Sequence, residues 1–397
     1  MFAAITSGEG IELTGLLILM VLVWVGGKIF RELNLPVIFG ELLAGVIVGP
    51  LVLGVVGPDD HTIRILAELG VFFMMLHTGL ESNPRDIFGN SKKALIISLA
   101  GLLLTFAFGV GASLAFGYSM TVALFVGMCL SATAVAVSAR LFADYDMSKT
   151  GFAKISMASA LVNDILTLIL FSLVMELGAS GEVDFAALAW ITAKVTLYFA
   201  LVIFAGEKFF PQINKIIYKG NKGFTFTFII ALLFAALAEL MGMHMIIGAF
   251  LAGLFIRAEV IDDDLFNKIE DRVFAMSYSL FGPLFFASLA FYLDFSALKD
   301  AIGFLLVIIV LAVIGKVLGS GFAAYKLGFS RLKSLGVGVA MNSRGAVELI
   351  LAAIGLQEGI VGPEVFSVLV LMAFVTTLIS IVGMKPIAKK MEEAGEL

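Results

Sequence analysis

The chain has 397 residues, 60% of them hydrophobic and only 14% charged, with a mean hydropathy of +1.07. Such values lie far outside the soluble range, so they exclude a water-soluble fold and leave no stretch for a soluble domain. The formal charge of -5 says little by itself, because in a membrane protein the placement of Lys and Arg carries more information than their sum.

The N-terminal run MFAAITSGEGIEL has no basic region ahead of its apolar stretch and no clear cleavage signature, so the first span is read as retained. Apolar runs broken at Pro, Gly and charge give about thirteen spans. They fall near 11–31, 35–56, 62–81, 91–117, 119–141, 151–177, 185–209, 223–241, 243–258, 270–293, 297–325, 332–355 and 363–386. The breaks at 117–119 and 241–243 are the weakest boundaries. The chain is thus read as one all-α polytopic integral membrane domain spanning 1–397. Cys129, the single cysteine, excludes an intrachain disulfide and a cysteine-rich metal site, and is read as packing.

Basic residues test this count. Alternate loops collect Lys28 and Arg31, Arg85, Lys92 and Lys93, Arg140, Lys149 and Lys154, then Lys208, Lys215, Lys219 and Lys222. Further on come Arg257, Lys268 and Arg272, Lys326, Arg331 and Lys333, and finally Lys385, Lys389 and Lys390. Only Arg64 and Lys299 fall on the opposite side, where Glu9, Asp59, Asp60, Glu182, Asp184, Asp294 and Glu358 gather. The asymmetry predicts an N-terminus outside and a C-terminus in the cytoplasm.

Sliding the chain against itself by roughly 200 residues shows a second order. Gly40-Glu41-Leu42-Leu43-Ala44-Gly45 aligns with Gly248-Ala249-Phe250-Leu251-Ala252-Gly253, and Phe72-Phe73 through Leu80-Glu81 with Phe285-Phe286 through Leu293-Asp294. Thr133-Ala134-Val135 then falls opposite Arg344-Gly345-Ala346, and Asn163-Asp164 opposite Val375-Thr376. Six spans, one linking span and six more place equivalent helices in opposite orientation. Inverted repeats of this kind build many secondary transporters, whose sites lie near the midplane between the halves.

Three charged residues lie near the centre of their spans: Asp164, Lys316 and Arg344. An ionised carboxylate at that depth costs at least ~2.5–3.5 kcal/mol, so a chain that keeps one uses it or pairs it. Ser156, Ser159, Asn163 and Thr167 share a stripe with Asp164 at helical spacing, which turns that side of the span toward protein or water. Burial favours the protonated carboxyl and a nearby cation favours the carboxylate. One acid can then exchange a proton for a small hard cation such as Na+, with Asn163, Thr133, Ser131 or carbonyls of an interrupted helix supplying further oxygens. The bland alternative is a core ion pair between Asp164 and Lys316. Arg344 needs an acid or carbonyls, with Glu81, Glu348 and Glu41 available, and is read as bracing helices. Glu239, Glu176 and Lys194 lie near span ends, where snorkelling suffices. His77 and His244 are read as structural, and the Phe and Met residues as packing.

The GELLAGVIVGP, SALVNDILTLILFS, VIGKVLGSG and AMNSRGAVELILA segments, in that order along the chain, resemble the monovalent cation:proton antiporters, the superfamily of sodium/proton exchangers. The resemblance covers essentially the whole chain. It implies two crossed, partly unwound helices, one around Thr133 and one in NSRGAVEL, with Asp164 as the ion- and proton-binding carboxylate. It also implies core bundles at 91–177 and 297–386, dimerisation or scaffold helices at 11–81 and 223–293, a linker helix at 185–209, a homodimer and an elevator-like motion.

Members with two adjacent acids are similar to electrogenic exchangers, whereas those with Asn-Asp resemble electroneutral ones, and this chain has Asn163. It departs from the pattern at Lys316, whose usual partner is the first acid of an Asp-Asp pair. Asn-Asp relatives carry an arginine there and a glutamate one turn before the Asn, where this chain has Ser159. Three arrangements stay open: Lys316 contacts Asp164, is held by the Asn163 amide, or loses its proton. The expected activity is exchange of Na+, Li+ or K+ for H+ in a prokaryotic plasma membrane, with lipid around it, no cofactor and no nucleic acid. A channel would need a carbonyl filter or charge ring, an organic-solute symporter a larger polar pocket, and an enzyme paired catalytic groups. None of these is visible in the sequence, and the stretch after Pro386 is too short for a fused regulatory domain.

Overall fold

The computed structural model describes residues 13–33, 35–81, 91–145, 147, 150–180, 190, 193–194, 197–198, 223–241, 243–259 and 263–394. Helices dominate in chain order: α1 (Leu13–Glu32), α2 (Val37–Val48), α3 (His61–Glu81), α4 (Ser91–Ala115), α5 (Met120–Ser131), α6 (Val135–Asp144) and α7 (Gly151–Ser180). The second half contains α8 (Gly223–Leu240), α9 (Met245–Glu259), and α10 (Asp263–Phe274), which runs through a π-helical turn (Ala275–Phe281) into α11 (Gly282–Leu289). It closes with α12 (Phe295–Asp300), α13 (Ile302–Lys326), α14 (Arg331–Met341), α15 (Ala346–Gln357) and α16 (Pro363–Glu393).

Nine stretches among the described residues are long and apolar enough to cross a bilayer, and Val37–Val48, Met120–Ser131 and Met245–Ile256 are shorter apolar helices. With the family membership established below, this is an integral membrane protein. The expected linker span at 185–209 falls for the most part outside the described residues, so these residues do not fix the count at thirteen. Two spans are interrupted, at 132–134 and at 342–345, within the two segments where the resemblance implies unwinding. The helix expected to stop at 386 passes through Pro386 to Glu393, because Met384, Ile387, Ala388 and Met391 stay buried on its inner side.

Packing divides among neighbours. α1 and α2 pair, α3 lies along α9 and α11, and α8 covers α9. In the other group α4 lies between α5 and α13, while α7 and α16 flank the interrupted helices. Alternation on α13 explains its placement. Ile302, Leu306, Val310, Ile314, Leu318 and Phe322, four residues apart, are exposed where lipid would lie, while Ile308, Ala312, Gly315, Lys316, Gly319 and Ser320 are buried. A helix apolar on its outer face and small or polar on its inner face seats its one mid-span lysine inside the protein.

Close backbone approach fixes α3 against α9. A Cβ on Gly79 would fall 2.8 Å from Leu254 N and 2.9 Å from Gly253 Cα, and one on Gly253 would fall 2.8 Å from Leu80 N. Small residues at such crossings are how helices pack in a solvent as apolar as their own side chains. Gly253→Leu is therefore expected to destabilise the fold by at least ~1–3 kcal/mol. Gly111→Leu, at a site with no atom within 4 Å, is expected to be neutral. The monodisperse fraction surviving a temperature series in detergent separates the two variants.

Candidate ion-binding site

The two interruptions meet. α5 ends at Ser131 and α6 begins at Val135, while α14 ends at Met341 and α15 begins at Ala346. Each break frees carbonyls and N–H groups at half-helix ends, and without water these must find protein partners. They find them across the repeat. Ala134 N–H donates to Ser343 O at 2.9 Å, the Thr133 hydroxyl to Met341 O at 3.1 Å, and the Ser138 hydroxyl to Ala340 O at 2.8 Å. The Ser138 and Ser343 hydroxyls stand 2.8 Å apart, and Ser343 also reaches Ala134 O at 3.2 Å. From α16, the Thr377 hydroxyl accepts from Arg344 N–H at 2.9 Å and donates to Arg344 O at 3.0 Å.

Two buried cations take the carbonyls left at the end of α5. Lys316 Nζ donates to Ser131 O at 2.6 Å, to Thr133 Oγ1 at 2.8 Å and to Asn163 Oδ1 at 3.2 Å. Arg344 Nη1 donates to Ala132 O at 2.7 Å and to Cys129 O at 3.0 Å, and lies 3.5 Å from Glu348 Oε2. A helix C-terminus carries about half a negative elementary charge, so cations belong there. Glu348, in the first turn of α15, sits at the opposite kind of helix end.

Asn163 is held on both sides of its amide: Nδ2 donates to Ser131 O at 2.9 Å and to Thr167 Oγ1 at 3.2 Å, and Oδ1 accepts from Lys316. Asp164, 2% exposed, is different: its Oδ1 has no hydrogen-bond partner among the described residues. Of the contacts open for Lys316, the structure shows the Asn163 amide, together with Ser131 and Thr133, and no Lys316–Asp164 ion pair among the described residues. The amide oxygen, hydroxyl and carbonyl are thus taken by Lys316, while the carboxylate keeps an oxygen without a partner among the described residues, a hard donor of the kind that suits a proton or an alkali cation.

The expected residues do not all converge. Ser131 contributes its carbonyl, while its hydroxyl turns back to Met128 O at 2.7 Å. Ser159 donates to Ile155 O at 2.7 Å on its own helix. Glu81 lies at the end of α3 with its side chain 46% exposed, 3.6 Å from His77 Nδ1, and Glu41 is buried on α2, so Glu348 is the acid beside Arg344. Sequence reasoning missed the Cys129 and Ala132 carbonyls, the Ser138–Ser343 pair, Thr377 and Asn342, whose Nδ2 bonds Thr376 O at 3.1 Å and Ser380 Oγ at 3.0 Å. The repeat register held the signal for several of them, because it set 133–135 against 344–346. A separate cavity of about 240 Å³, lined in part by Arg64, Glu68, Glu239, His244 and Gln357, does not include Asp164.

Thr133 links both halves and the lysine, so Thr133→Val, which keeps the volume and removes the hydroxyl, is expected to destabilise by about 1–3 kcal/mol. Thr105→Val is expected to lose less, since the Thr105 hydroxyl bonds back to Gly101 O on its own helix. Thermal unfolding midpoints of the two variants make the comparison.

Residues 16–390 match the family model described as "Sodium/hydrogen exchanger, transmembrane". The chain is 30% identical over 357 residues to the Na+/H+-K+ antiporter GerN of Bacillus cereus, covering 89% of this chain and 90% of that protein. It is 28% identical over 383 residues to a Na+/H+ antiporter of Enterococcus hirae, covering 96% of this chain and 99% of that one. Its fold is similar to that of the sodium proton antiporter MjNhaP1 of Methanocaldococcus jannaschii at pH 8, with a TM-score of 0.76 and 18% identity over 95% of this chain and 98% of that one. With interrupted helices crossing beside a buried Asn-Asp pair and a family match over nearly its whole length, the chain belongs to the sodium/hydrogen exchanger family of membrane proteins.

Proposed function

We propose that this chain is a secondary antiporter that exchanges Na+, or Li+ or K+, for H+ at Asp164. The observation that carries the reading is the Asp164 carboxylate, buried at mid-span with an oxygen that no donor among the described residues satisfies. Leaving such an atom unpaired is costly, and a proton or a cation relieves the cost in turn. In this proposal the hard oxygens that hold the Lys316 ammonium, Ser131 O, Thr133 Oγ1 and Asn163 Oδ1, pass to the cation when it binds at Asp164. Binding of H+ and of metal at one carboxylate is mutually exclusive, and that exclusion couples the two fluxes. The relatives named as Na+/H+ antiporters, matched over most of their length, support this reading.

The motion in this proposal is elevator-like: bundles at 91–177 and 297–386 carry the site past scaffold helices at 11–81 and 223–293, joined through 185–209, in a homodimer. The site residues all lie in the first group, on α5, α7, α13 and α14–α15 or the breaks between them, which supports their moving together. The orientation in this reading has the N-terminus outside and the C-terminus in the cytoplasm of a prokaryotic plasma membrane. Exchange is proposed to be electroneutral, one for one. Asp164 and Glu348 oppose Lys316 and Arg344, so the charges balance when Asp164 is empty. One H+ and one Na+ each add a single positive charge, and the two loaded carriers then cross with equal charge.

Purified protein in vesicles with an internal pH indicator tests the reading. Adding Na+ or Li+ outside is expected to drive proton efflux with no organic solute, and Asp164→Asn is expected to abolish it while the protein stays folded. Retained Na+-driven flux in that variant would remove Asp164 from the mechanism. A potassium-diffusion potential is expected to leave rate and endpoint unchanged. Transfer of one net charge would couple to about 2.3 kcal/mol per 100 mV, so a clear voltage dependence would overturn the one-for-one stoichiometry.

A further inference from the structure

Glu348 is a buried acid that exchange at Asp164 does not itself use. It is 1% exposed, and neither carboxylate oxygen has a hydrogen-bond donor among the described residues. Arg344 Nη1 stands 3.5 Å from Oε2, too far for a good hydrogen bond, and the same Nη1 is already engaged by the Cys129 and Ala132 carbonyls. Arg344 Nε and Nη2 have no acceptor among the described residues either. A side chain kept only as a brace would be seated so that its hydrogen bonds were made, because a buried unpaired polar atom destabilises the fold. Glu348 forms none with the described residues, so what it has to offer is its field on Arg344, 3.5 Å away.

That charge has a definite place. Lys316 and Arg344 are anchored on neighbouring carbonyls, Ser131 O and Ala132 O, which sets two like charges side by side at one helix end. Lys316 lies within electrostatic reach of Arg344, Asp164 and Glu348 alike. Without Glu348, the Arg344 charge beside Lys316 would lose the acid nearest to it, and Lys316 is the cation that acts on Asp164.

We propose that Glu348 is a charge-compensating residue that sets the cation affinity of Asp164: it offsets Arg344 through the field, without touching the transported ion, and leaves Asp164 and Lys316 to balance each other. The inference rests on exchange at Asp164. Its signature is a pair of opposite shifts, since removing the acid strengthens repulsion of the incoming cation and removing the arginine weakens it.

The test uses Glu348→Gln, Arg344→Gln and the double variant, with two readouts: the KM for Na+ in vesicles, and the Na+ concentration giving half-maximal thermal stabilisation of the purified protein. Glu348→Gln is expected to raise both on the order of tenfold, as Coulomb's law gives for a unit charge within about a nanometre at an effective dielectric constant of about 20. Arg344→Gln is expected to lower both, and the double variant to return within about threefold of wild type, whatever happens to the maximal rate. A KM for Glu348→Gln within about twofold of wild type, or shifts of the same sign in both single variants, would overturn the proposal. If a single variant does not fold, the double variant decides, because it leaves no unpaired charge: half-saturation within about threefold of wild type supports the proposal and a larger rise overturns it. Wild-type protein that neither exchanges nor is stabilised by Na+ would remove the exchange reading and this inference together. Exchange by wild type with no shift in Glu348→Gln removes the inference alone.

Discussion

A helix broken in the middle of a membrane must satisfy its loose ends without water, and this structure is organised around that requirement. Breaking α5–α6 and α14–α15 exposes carbonyls at Cys129, Ser131, Ala132, Ala340 and Met341, and each accepts from a side chain of another segment. Neutral hydroxyls serve the α14 end, through Thr133, Ser138 and Ser343. The α5 end is served largely by Lys316 and Arg344, with the Asn163 amide also on Ser131 O. The asymmetry between two ends that the repeat makes equivalent is where chemistry enters: one end is closed by dipoles and the other by charges. Two buried cations in turn require two buried anions nearby, and Asp164 and Glu348 meet that requirement.

Much of this was legible in sequence, for physical reasons that differ by residue. The spans were readable because the bilayer demands long apolar runs. The mid-span charges stood out because an ionised group at that depth carries an energetic penalty. The breaks were legible only by resemblance, since SATAVAVS and NSRGAVEL are apolar enough to pass as continuous helix. The Asn163 amide was one of three readings open for Lys316, but the main-chain partner of the lysine was not legible. Lys316 bonds the Ser131 carbonyl 185 residues away, and a backbone carbonyl has no residue identity to read. The same holds for Arg344 on Cys129 and Ala132. Ser131 was singled out by position, and in the structure its carbonyl accepts from Lys316 and Asn163 while its hydroxyl bonds its own helix. The end of α16 was misjudged because a proline reads as a stop, whereas burial of Ile387 and Met391 carries the helix past it.

Packing and charge are linked on α13. Gly315 lies against Thr105 of α4, and Gly319 against Ala100 and Gly101, so the two backbones approach closely. That approach confines the lysine stem, because a Cβ on Gly101 would stand 3.7 Å from Lys316 Cδ. The ammonium is therefore directed to the α5 end by its surroundings as much as by its three acceptors. A rigid placement of this kind matters for an exchange site, since the field at Asp164 depends on where the neighbouring charge is held.

The neighbour of Asp164 then takes on a different meaning. An acid at position 163 would have been an obvious counter-ion for Lys316, and Asn163 is not one. Yet the amide is not merely a missing charge. Its oxygen accepts from the lysine while its nitrogen bonds Ser131 O, the same carbonyl the lysine uses, so amide, ammonium and helix end form a closed triangle. An ammonium satisfied in this way has no need of the Asp164 carboxylate, and Asp164 Oδ1 is accordingly left free. In the proposed exchange this freedom makes Asp164 available to either ion, and the charge the triangle does not neutralise is balanced across the whole buried group. In that proposal the Asn-Asp pair works within a group of buried charges and one amide, not alone.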